Sequence, residues 1–171
     1  MRSIIFHDFL IERGGGERVV NTLAKFFDSL IITCFYNRDY TYEEFKEKRI
    51  IHNSGFLNNK IASISPLKIL RAIYFFKKQL SKFINLFDYH FDFSIISGFY
   101  SIYIAKLLKI PKIYYIQTEP LEYVFEREAY SNYSYLPHRL FYRIILKKSE
   151  MENIHSIDKI IANSNYTKKS L

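Results

Sequence analysis

The sequence contains few of the residues on which disulfide-stabilised and metal-binding domains depend. Cys34 is the only cysteine among 171 residues and lies inside an apolar run, so no disulfide framework and no thiolate metal site is expected. The five histidines are scattered, without the spacing that metal ligands adopt. These absences predict a domain with no bound metal and no resident cofactor, located in the reducing cytoplasm.

A hydrophobic run long enough to cross a bilayer is also missing. Asp8 interrupts the first apolar run after a few residues, which argues against a signal peptide. The longest uncharged stretch, Phe93 to Ala105, falls short of the roughly 20 residues that a membrane-spanning helix needs. We therefore expect a chain that does not cross a membrane.

Acidic residues are outnumbered. The chain has 25 Lys and Arg against 17 Asp and Glu, a net charge of +8, and its aromatic residues are all Phe and Tyr. Such a composition favours an anionic partner, namely nucleic acid, a phosphorylated ligand or a membrane surface; a Lys- and Ile-rich genome explains it equally well. Nucleic acid is the least favoured partner, because the basic residues are spread out and form no aromatic-basic motif.

Glycine is scarce as well, yet three of the five glycines are consecutive, Gly14, Gly15 and Gly16. A short apolar strand, Ser3 to Phe6, precedes them, and apolar residues at helical spacing follow from Glu17. Glycines between a strand and a helix let a ligand approach the backbone, where free N–H groups favour an anion such as phosphate. The run matches neither the dinucleotide fingerprint nor the P-loop, so a plain structural turn is the alternative.

Strand-like and helix-like segments alternate along the rest of the chain. Further strands are predicted at Leu30–Phe35, Arg49–His52, Phe93–Ser97, Lys112–Gln117 and Asp158–Ala162. Helices are predicted at Tyr42–Lys48, Leu67–Phe87, Tyr100–Leu108, Leu121–Ala129 and Pro137–His155, with a last helix capped by Asn163 and Ser164. Because most strands are apolar throughout, we predict one α/β domain over residues 1–171: a Rossmann-like parallel sheet of about six strands with helices on both faces.

The helix predicted from Leu67 to Phe87 is amphipathic. Its apolar residues fall on one side, except that Lys77 lies among them, and four basic residues fall in a narrow arc opposite: Lys68, Arg71, Lys78 and Lys82. It is either an ordinary surface helix with its apolar side in the core, or a basic helix lying on anionic lipid. Both interpretations hold together if aromatic residues such as Tyr74 and Phe75 face outward.

Polar residues follow several of the predicted strands. In parallel α/β sheets, ligands bind outside the carboxyl ends of the strands, where the strand order switches. The residues at these ends are His7 and Asp8 after the first strand, Ser97 and Gly98 after the fourth, Gln117, Thr118 and Glu119 after the fifth, and Asn163 and Ser164 after the sixth. This agreement predicts that the glycine run belongs to a binding site.

Four segments, in order, resemble the N-terminal domain of family 4 glycosyltransferases, which have the GT-B fold. The segments are His7 to Leu10 with Arg13 to Val19, similar to "HDWL…RGGxEKV"; Asp92 to Ser97, similar to "DLVISS"; Tyr114 to Pro120, similar to "YxHTP"; and Ile160 to Tyr166, similar to "xVANSxF". Each is weak alone, but the ordered set covers nearly the whole chain. The resemblance implies that this domain takes a glycan or lipid-linked acceptor and that a second domain, in cis or in trans, holds a nucleotide-sugar donor as co-substrate.

The resemblance also implies a retaining, metal-independent transferase and assigns roles to residues at the strand ends. The candidate catalytic residues are His7, Asp8, Gln117 and Glu119, and the candidate donor-phosphate or acceptor-binding residues are Gly14, Gly15, Gly16, Ser97, Gly98, Thr118, Asn163 and Ser164. A lipid-linked acceptor would agree with peripheral attachment to the inner face of an anionic membrane through Lys68, Arg71, Lys78 and Lys82.

Two departures from the family pattern leave alternatives open. Gln117 stands where the family commonly has His, with Glu119 added before the proline, and an amide cannot act as a base. His7, Asp8 and Glu119 are then the alternatives for a base, and a buried capping role is equally open for Asp8. The donor-binding domain is also absent from the sequence. A non-catalytic binding module with the same fold is the main alternative function, followed by an unrelated nucleotide-binding domain.

Overall fold

The computed structural model describes residues 1–52, 66–117 and 140–169. Its centre is a six-stranded sheet in which all neighbouring strands are parallel, in the order β3-β2-β1-β4-β5-β6. The strands are β1 (Ser3–Leu10), β2 (Leu30–Tyr36), β3 (Ile50–His52), β4 (Phe93–Ser97), β5 (Lys112–Ile116) and β6 (Lys159–Ala162). The strand order switches between β1 and β4, where a ligand site is expected in such sheets.

Helices connect the strands. The α-helices are α1 (Gly15–Phe26), α2 (Pro66–His90), α3 (Lys147–Ile154) and α4 (Asn165–Lys169); 3₁₀-helices span Glu43–Glu47 and Ser101–Leu107, and a π-helical turn, Tyr142–Leu146, precedes α3. This order confirms the predicted alternation. The helix predicted at Leu121–Ala129 lies outside the described residues.

Alternating strand residues fill two separate cores, as a sheet covered on both faces requires. In β1, Ile4 and Phe6 belong to the core beneath α2, whereas Ile5 belongs to the core beneath α1. We call these two sides the α2 face and the α1 face. The predicted Rossmann-like sheet with helices on both faces is therefore confirmed.

The structure corrects the boundaries at the start of the chain. The first strand does not stop at Phe6, because β1 pairs with β2 as far as Leu10 opposite Tyr36. His7 and Asp8 consequently lie inside β1 rather than after it. Similarly, α1 begins at Gly15, so two of the three glycines form the first helical turn instead of a loop.

Candidate functional site

A cleft of about 530 Å³ opens at the carboxyl edge of the sheet, where β1 and β4 lie side by side. Nine residues singled out from the sequence line it: His7, Asp8, Gly14, Gly15, Gly16, Ser97, Gly98, Gln117 and Asn163. Ser164 is not among the described lining residues, and Thr118 and Glu119 lie outside the described part of the chain. The structure thus brings most of the predicted site residues together at the switch point.

Asp8 is held by the backbone that follows β4. Its carboxylate accepts hydrogen bonds from the N–H groups of Tyr100 at 2.8 Å and Ser101 at 2.9 Å, and so caps the 3₁₀-helix at Ser101–Leu107. Burial raises the pKa of Asp8 to about 6, against the lowering effect of these backbone hydrogen bonds. The capping role left open for Asp8 is therefore the one observed.

Gly98 is required beside this carboxylate. A Cβ atom added to Gly98 would overlap the Asp8 carboxylate carbon and oxygens, so any side chain there must displace Asp8. Asp8 and Gly98 form one packed unit at the floor of the cleft, between β1 and β4.

His7 is tied to the same strand end. Its Nδ1 donates a hydrogen bond to the carbonyl of Ser97, which leaves Nε2 as the ring's acceptor when the ring is neutral. Burial lowers the pKa of His7 to about 4, opposed by hydrogen bonds to the carbonyls of Ser97 and Phe9. At neutral pH the cleft therefore contains an uncharged imidazole.

Gln117 connects three elements across the cleft. Its Nε2 donates to the hydroxyl of Ser97 at the end of β4, and its Oε1 lies 2.5 Å from where a Cβ of Gly16 would stand. The Gln117 carbonyl accepts a hydrogen bond of 2.8 Å from Nδ2 of Asn163 after β6. The Gln117 side chain thus packs α1 against the ends of β4 and β5.

The three glycines differ in the space around them. A Cβ at Gly14 would lie 2.6 Å from the Glu17 carboxylate, and one at Gly16 would meet Gln117. A Cβ at Gly15 would have nothing within 4 Å. No described glycine has a positive φ. Among these three, Gly15 is the glycine at which an added side chain would enter open space, and it is one of the residues that line the cleft.

Glu17 was not predicted as a site residue, although it follows the glycines directly. It is buried at the third position of α1, and burial raises its pKa, against hydrogen bonds from backbone N–H groups that include Gly14; the nearby Glu12 adds to the rise. This is the geometry of a capping-box glutamate. A carboxylate already occupies part of the helix start where an anion was expected.

Glu12 and Glu17 add acidic groups to a cleft that also holds Asp8. Among the described residues, its lining contains no Lys and no Arg. The other lining residues not predicted are apolar or aromatic: Phe9, Ile11, Val19, Phe99, Tyr114, Tyr115 and Ile116. The positive net charge of the chain is therefore not found in the described part of the cleft.

Asn163 and Ser164 act at the start of α4, as predicted. The hydroxyl of Ser164 accepts a hydrogen bond from the N–H of Thr167, and Oδ1 of Asn163 accepts one from the Thr167 hydroxyl. Ser164 is thus a helix cap, while Asn163 also reaches Gln117.

The basic residues predicted on α2 are away from the cleft. Arg71, Lys78 and Lys82 are exposed, whereas the apolar residues Ala72, Ile73, Phe75, Phe76 and Leu80 are buried in the core. Lys77 is exposed despite its place in the predicted apolar arc, and of the two aromatic residues expected outside only Tyr74 is exposed. The side chain of Lys68 lies outside the described residues. In the described part of the chain, no helix is long and apolar enough to cross a membrane.

The sequence matches no protein-family model and no curated protein. In three dimensions the chain is similar to a UDP-N-acetylglucosamine 2-epimerase, with a TM-score of 0.52 and 10% sequence identity. The similarity covers 98% of this chain and 43% of the epimerase, so the chain spans less than half the length of that enzyme. At this identity the two share a fold, the GT-B-like Rossmann α/β fold.

Proposed function

We propose that this domain is the acceptor-binding half of a glycosyltransferase that moves a sugar from a nucleotide-sugar donor to a glycan or lipid-linked acceptor. The observation that carries the proposal is the cleft at the β1–β4 switch point, which gathers nine of the residues chosen from the sequence. The ordered motifs support a family 4 enzyme, and the epimerase supports the fold alone. A donor-binding domain in cis or in trans would complete the enzyme.

The chemistry of the described lining suits the acceptor rather than the donor phosphates. Carboxylates at Glu12 and Glu17 and amides at Gln117 and Asn163 can hold sugar hydroxyl groups. Phosphates would be repelled by the same carboxylates, since no basic side chain offsets them in the described lining. In this proposal the donor domain supplies most contacts to the donor.

The four candidate catalytic residues receive different roles in the proposal. Asp8 positions the backbone after β4, because both its oxygens accept backbone N–H groups. The neutral ring of His7 can accept a hydrogen bond from the attacking hydroxyl at Nε2. Gln117 positions rather than abstracts a proton, and Glu119 stays a candidate base on sequence grounds.

The test is binding by the isolated chain. Calorimetry with UDP-, GDP- and ADP-sugars should show no binding tighter than about millimolar, roughly −4 kcal/mol, because most donor contacts are assigned to the other domain. An array of oligosaccharides should reveal an acceptor, and Gly15→Val should abolish that binding and, with the donor domain present, sugar transfer. The melting temperature of this variant should fall by only a few degrees, since Gly15 adjoins open space.

Thr22→Val is the matched control, because it places the same side chain on an exposed position of α1. Micromolar nucleotide-sugar binding by the chain alone would contradict the proposal and favour an independent nucleotide-binding domain. Unchanged saccharide binding in Gly15→Val would mean that the glycines are only a structural connection.

A non-catalytic binding module is the second candidate. The observation that favours it concerns Gln117, whose amide donates a hydrogen bond to Ser97 and packs on Gly16. An amide cannot act as a base at neutral pH. Saccharide binding without any transfer in the presence of the donor domain would distinguish this function from the first.

A further inference from the structure

The described lining of the cleft carries charge of one sign. It contains three carboxylates, no Lys and no Arg, and burial lowers the pKa of His7 to about 4, so that ring is uncharged at neutral pH. Both oxygens of Asp8 already accept backbone N–H groups. The carboxylates of Glu12 and Glu17 are therefore the charged groups that a ligand in the cleft would contact.

Glu12 and Glu17 come together beside Gly14. A Cβ atom at Gly14 would lie 2.6 Å from Oε2 of Glu17 and 3.4 Å from Oε1 of Glu12, so both carboxylates reach the same point next to the glycine run. Their interaction is visible in the pKa of Glu17, which is raised by burial first and by the charge of Glu12 as well. A cation between the two carboxylates would remove this repulsion.

No described basic side chain offsets this pair. Arg13 follows Glu12 in the sequence, but its guanidinium donates a hydrogen bond of 3.3 Å to the carbonyl of Thr41 and lies 3.7 Å from the Glu43 carboxylate. None of the ion pairs between described residues includes Glu12 or Glu17. Both charges are therefore available to a bound cation.

A buried hydroxyl in the same cleft also lacks a partner. Tyr114 lines the cleft and is only 3% exposed, and its hydroxyl has no hydrogen-bond partner among the described residues. A buried polar group without a partner is unfavourable, and a hydroxyl of a bound sugar would supply one. The lining adds half-buried aromatic side chains, Phe9, Phe99 and Tyr115, and aromatic faces attract cations.

We propose that the acceptor is a cationic sugar, an amino sugar whose ammonium group lies between Glu12 and Glu17 and whose hydroxyl groups include one that contacts Tyr114. The described residues contain no group of three or more His, Cys, Asp or Glu side chains that could hold a metal ion. Two carboxylates suit an ammonium, with its three N–H donors, better than a metal. An anionic sugar would be repelled. This inference rests on the proposed function, because it names the class of acceptor.

The test is binding of matched monosaccharides to the full chain, measured by NMR titration at neutral pH. Methyl glycosides of glucose, galactose and mannose are each compared in the 2-amino, 2-acetamido, unmodified and uronate forms. In the series with the preferred ring configuration, the 2-amino form should bind about tenfold more tightly than the 2-acetamido form, and the uronate should bind least. High salt should reduce this preference.

Variants separate the charge from the hydroxyl. Glu12→Gln and Glu17→Gln should each reduce the preference for the 2-amino form by roughly threefold, because an amide keeps an acceptor but loses the charge. Tyr114→Phe should weaken all forms by a similar factor and leave the preference unchanged. Glu44→Gln is the matched control, since it removes an exposed carboxylate of the 3₁₀-helix at Glu43–Glu47 that does not line the cleft.

Glu12 is exposed, so Glu12→Gln tests the charge even if the buried Glu17 does not tolerate substitution. The inference is overturned if any other form binds as tightly as the 2-amino form, or if Glu12→Gln keeps the full preference of Glu44→Gln. Binding of a neutral form that Gly15→Val abolishes would overturn the inference and leave the proposed function intact. If no form in any series binds, the inference is overturned, and the oligosaccharide array decides separately on the proposed function.

Discussion

The cleft and the α2 face differ in charge and in the way their polar groups are held. The described cleft lining contains three carboxylates and no Lys or Arg, while the exposed side of α2 is basic. In the cleft, Asp8, His7 and Gln117 are fixed by hydrogen bonds to the backbone or to neighbouring side chains. The net charge of +8 for the whole chain is therefore no guide to the charge of the described cleft lining, which is acidic. Variants of the two regions should behave differently.

Removing the Asp8 carboxylate should have the largest effect on folding. Asp8→Ala would leave the N–H groups of Tyr100 and Ser101 without their acceptors, and each buried donor left unpaired costs about 1–3 kcal/mol. We expect the free energy of unfolding to fall by about 4 kcal/mol in a urea titration. A loss below about 1 kcal/mol would show that the cleft floor is no more tightly held than the α2 face.

The pH dependence of stability should separate Asp8 from His7. Burial raises the pKa of Asp8 from 3.8 to about 6, so the folded state binds its proton more tightly and this contribution to stability is lost as the pH rises from about 4 to 6. Burial lowers the pKa of His7 from 6.5 to about 4, so the unfolded state binds its proton more tightly and stability rises over nearly the same range. The two effects, each about 3 kcal/mol, should nearly cancel.

Substituting one of the two residues should reveal the pH-dependent stability contribution of the other. Relative to the parent, Asp8→Asn should become more stable as the pH rises from 4 to 6, and His7→Asn less stable, when unfolding is measured across that range. The comparison with the parent removes the contribution of the other carboxyl groups. Parallel pH profiles for all three proteins would contradict the assigned burial of both groups.

Two glycines of the cleft should respond in opposite directions to the same substitution. Gly98→Ala would drive a methyl group into the Asp8 carboxylate, and overpacking of this kind costs about 1–3 kcal/mol. Gly15→Ala adds a methyl group in open space in the first turn of α1, where replacing glycine should stabilise by roughly 0.5–1 kcal/mol. Thermal unfolding of both variants is the measurement. Equal destabilisation would mean that the space at Gly15 is not open.

The sequence was sufficient to predict the fold and the edge of the sheet that carries the cleft. Runs such as Phe93–Ser97 and Lys112–Gln117 are apolar enough to specify buried parallel strands. The carboxyl ends of parallel strands lie at the same edge of the sheet, whatever the connecting segments are. The shared position of Ser97, Gln117 and Asn163 in the cleft could therefore be predicted without a prediction of the loop conformations.

The local roles could not be predicted, because they depend on which neighbour each polar group finds. For Asp8 the sequence left a base and a buried cap equally open, and the hydrogen bonds of its carboxylate depend on the backbone at Tyr100 and Ser101. The helix start at Gly15 was expected to attract an anion, but the Glu17 carboxylate folds back over it.

The basic residues of α2 should have the smallest effect on folding and a clear effect on lipid binding. Replacing Lys68, Arg71, Lys78 and Lys82 by Gln changes exposed positions at the three residues whose side chains are described, so the free energy of unfolding should stay within about 0.5 kcal/mol of the parent. Folding should be unaffected because the core side of the helix, with Phe76 and Leu80, is unchanged. Vesicle affinity should nevertheless fall by roughly fivefold for each removed charge that lies near the anionic surface. Flotation and urea unfolding of the same variant provide both readouts. If the variant floats as well as the parent, the helix serves only the core. A large loss of stability would instead mean that these charges are held as firmly as the groups of the cleft, and the contrast between the two regions would fail.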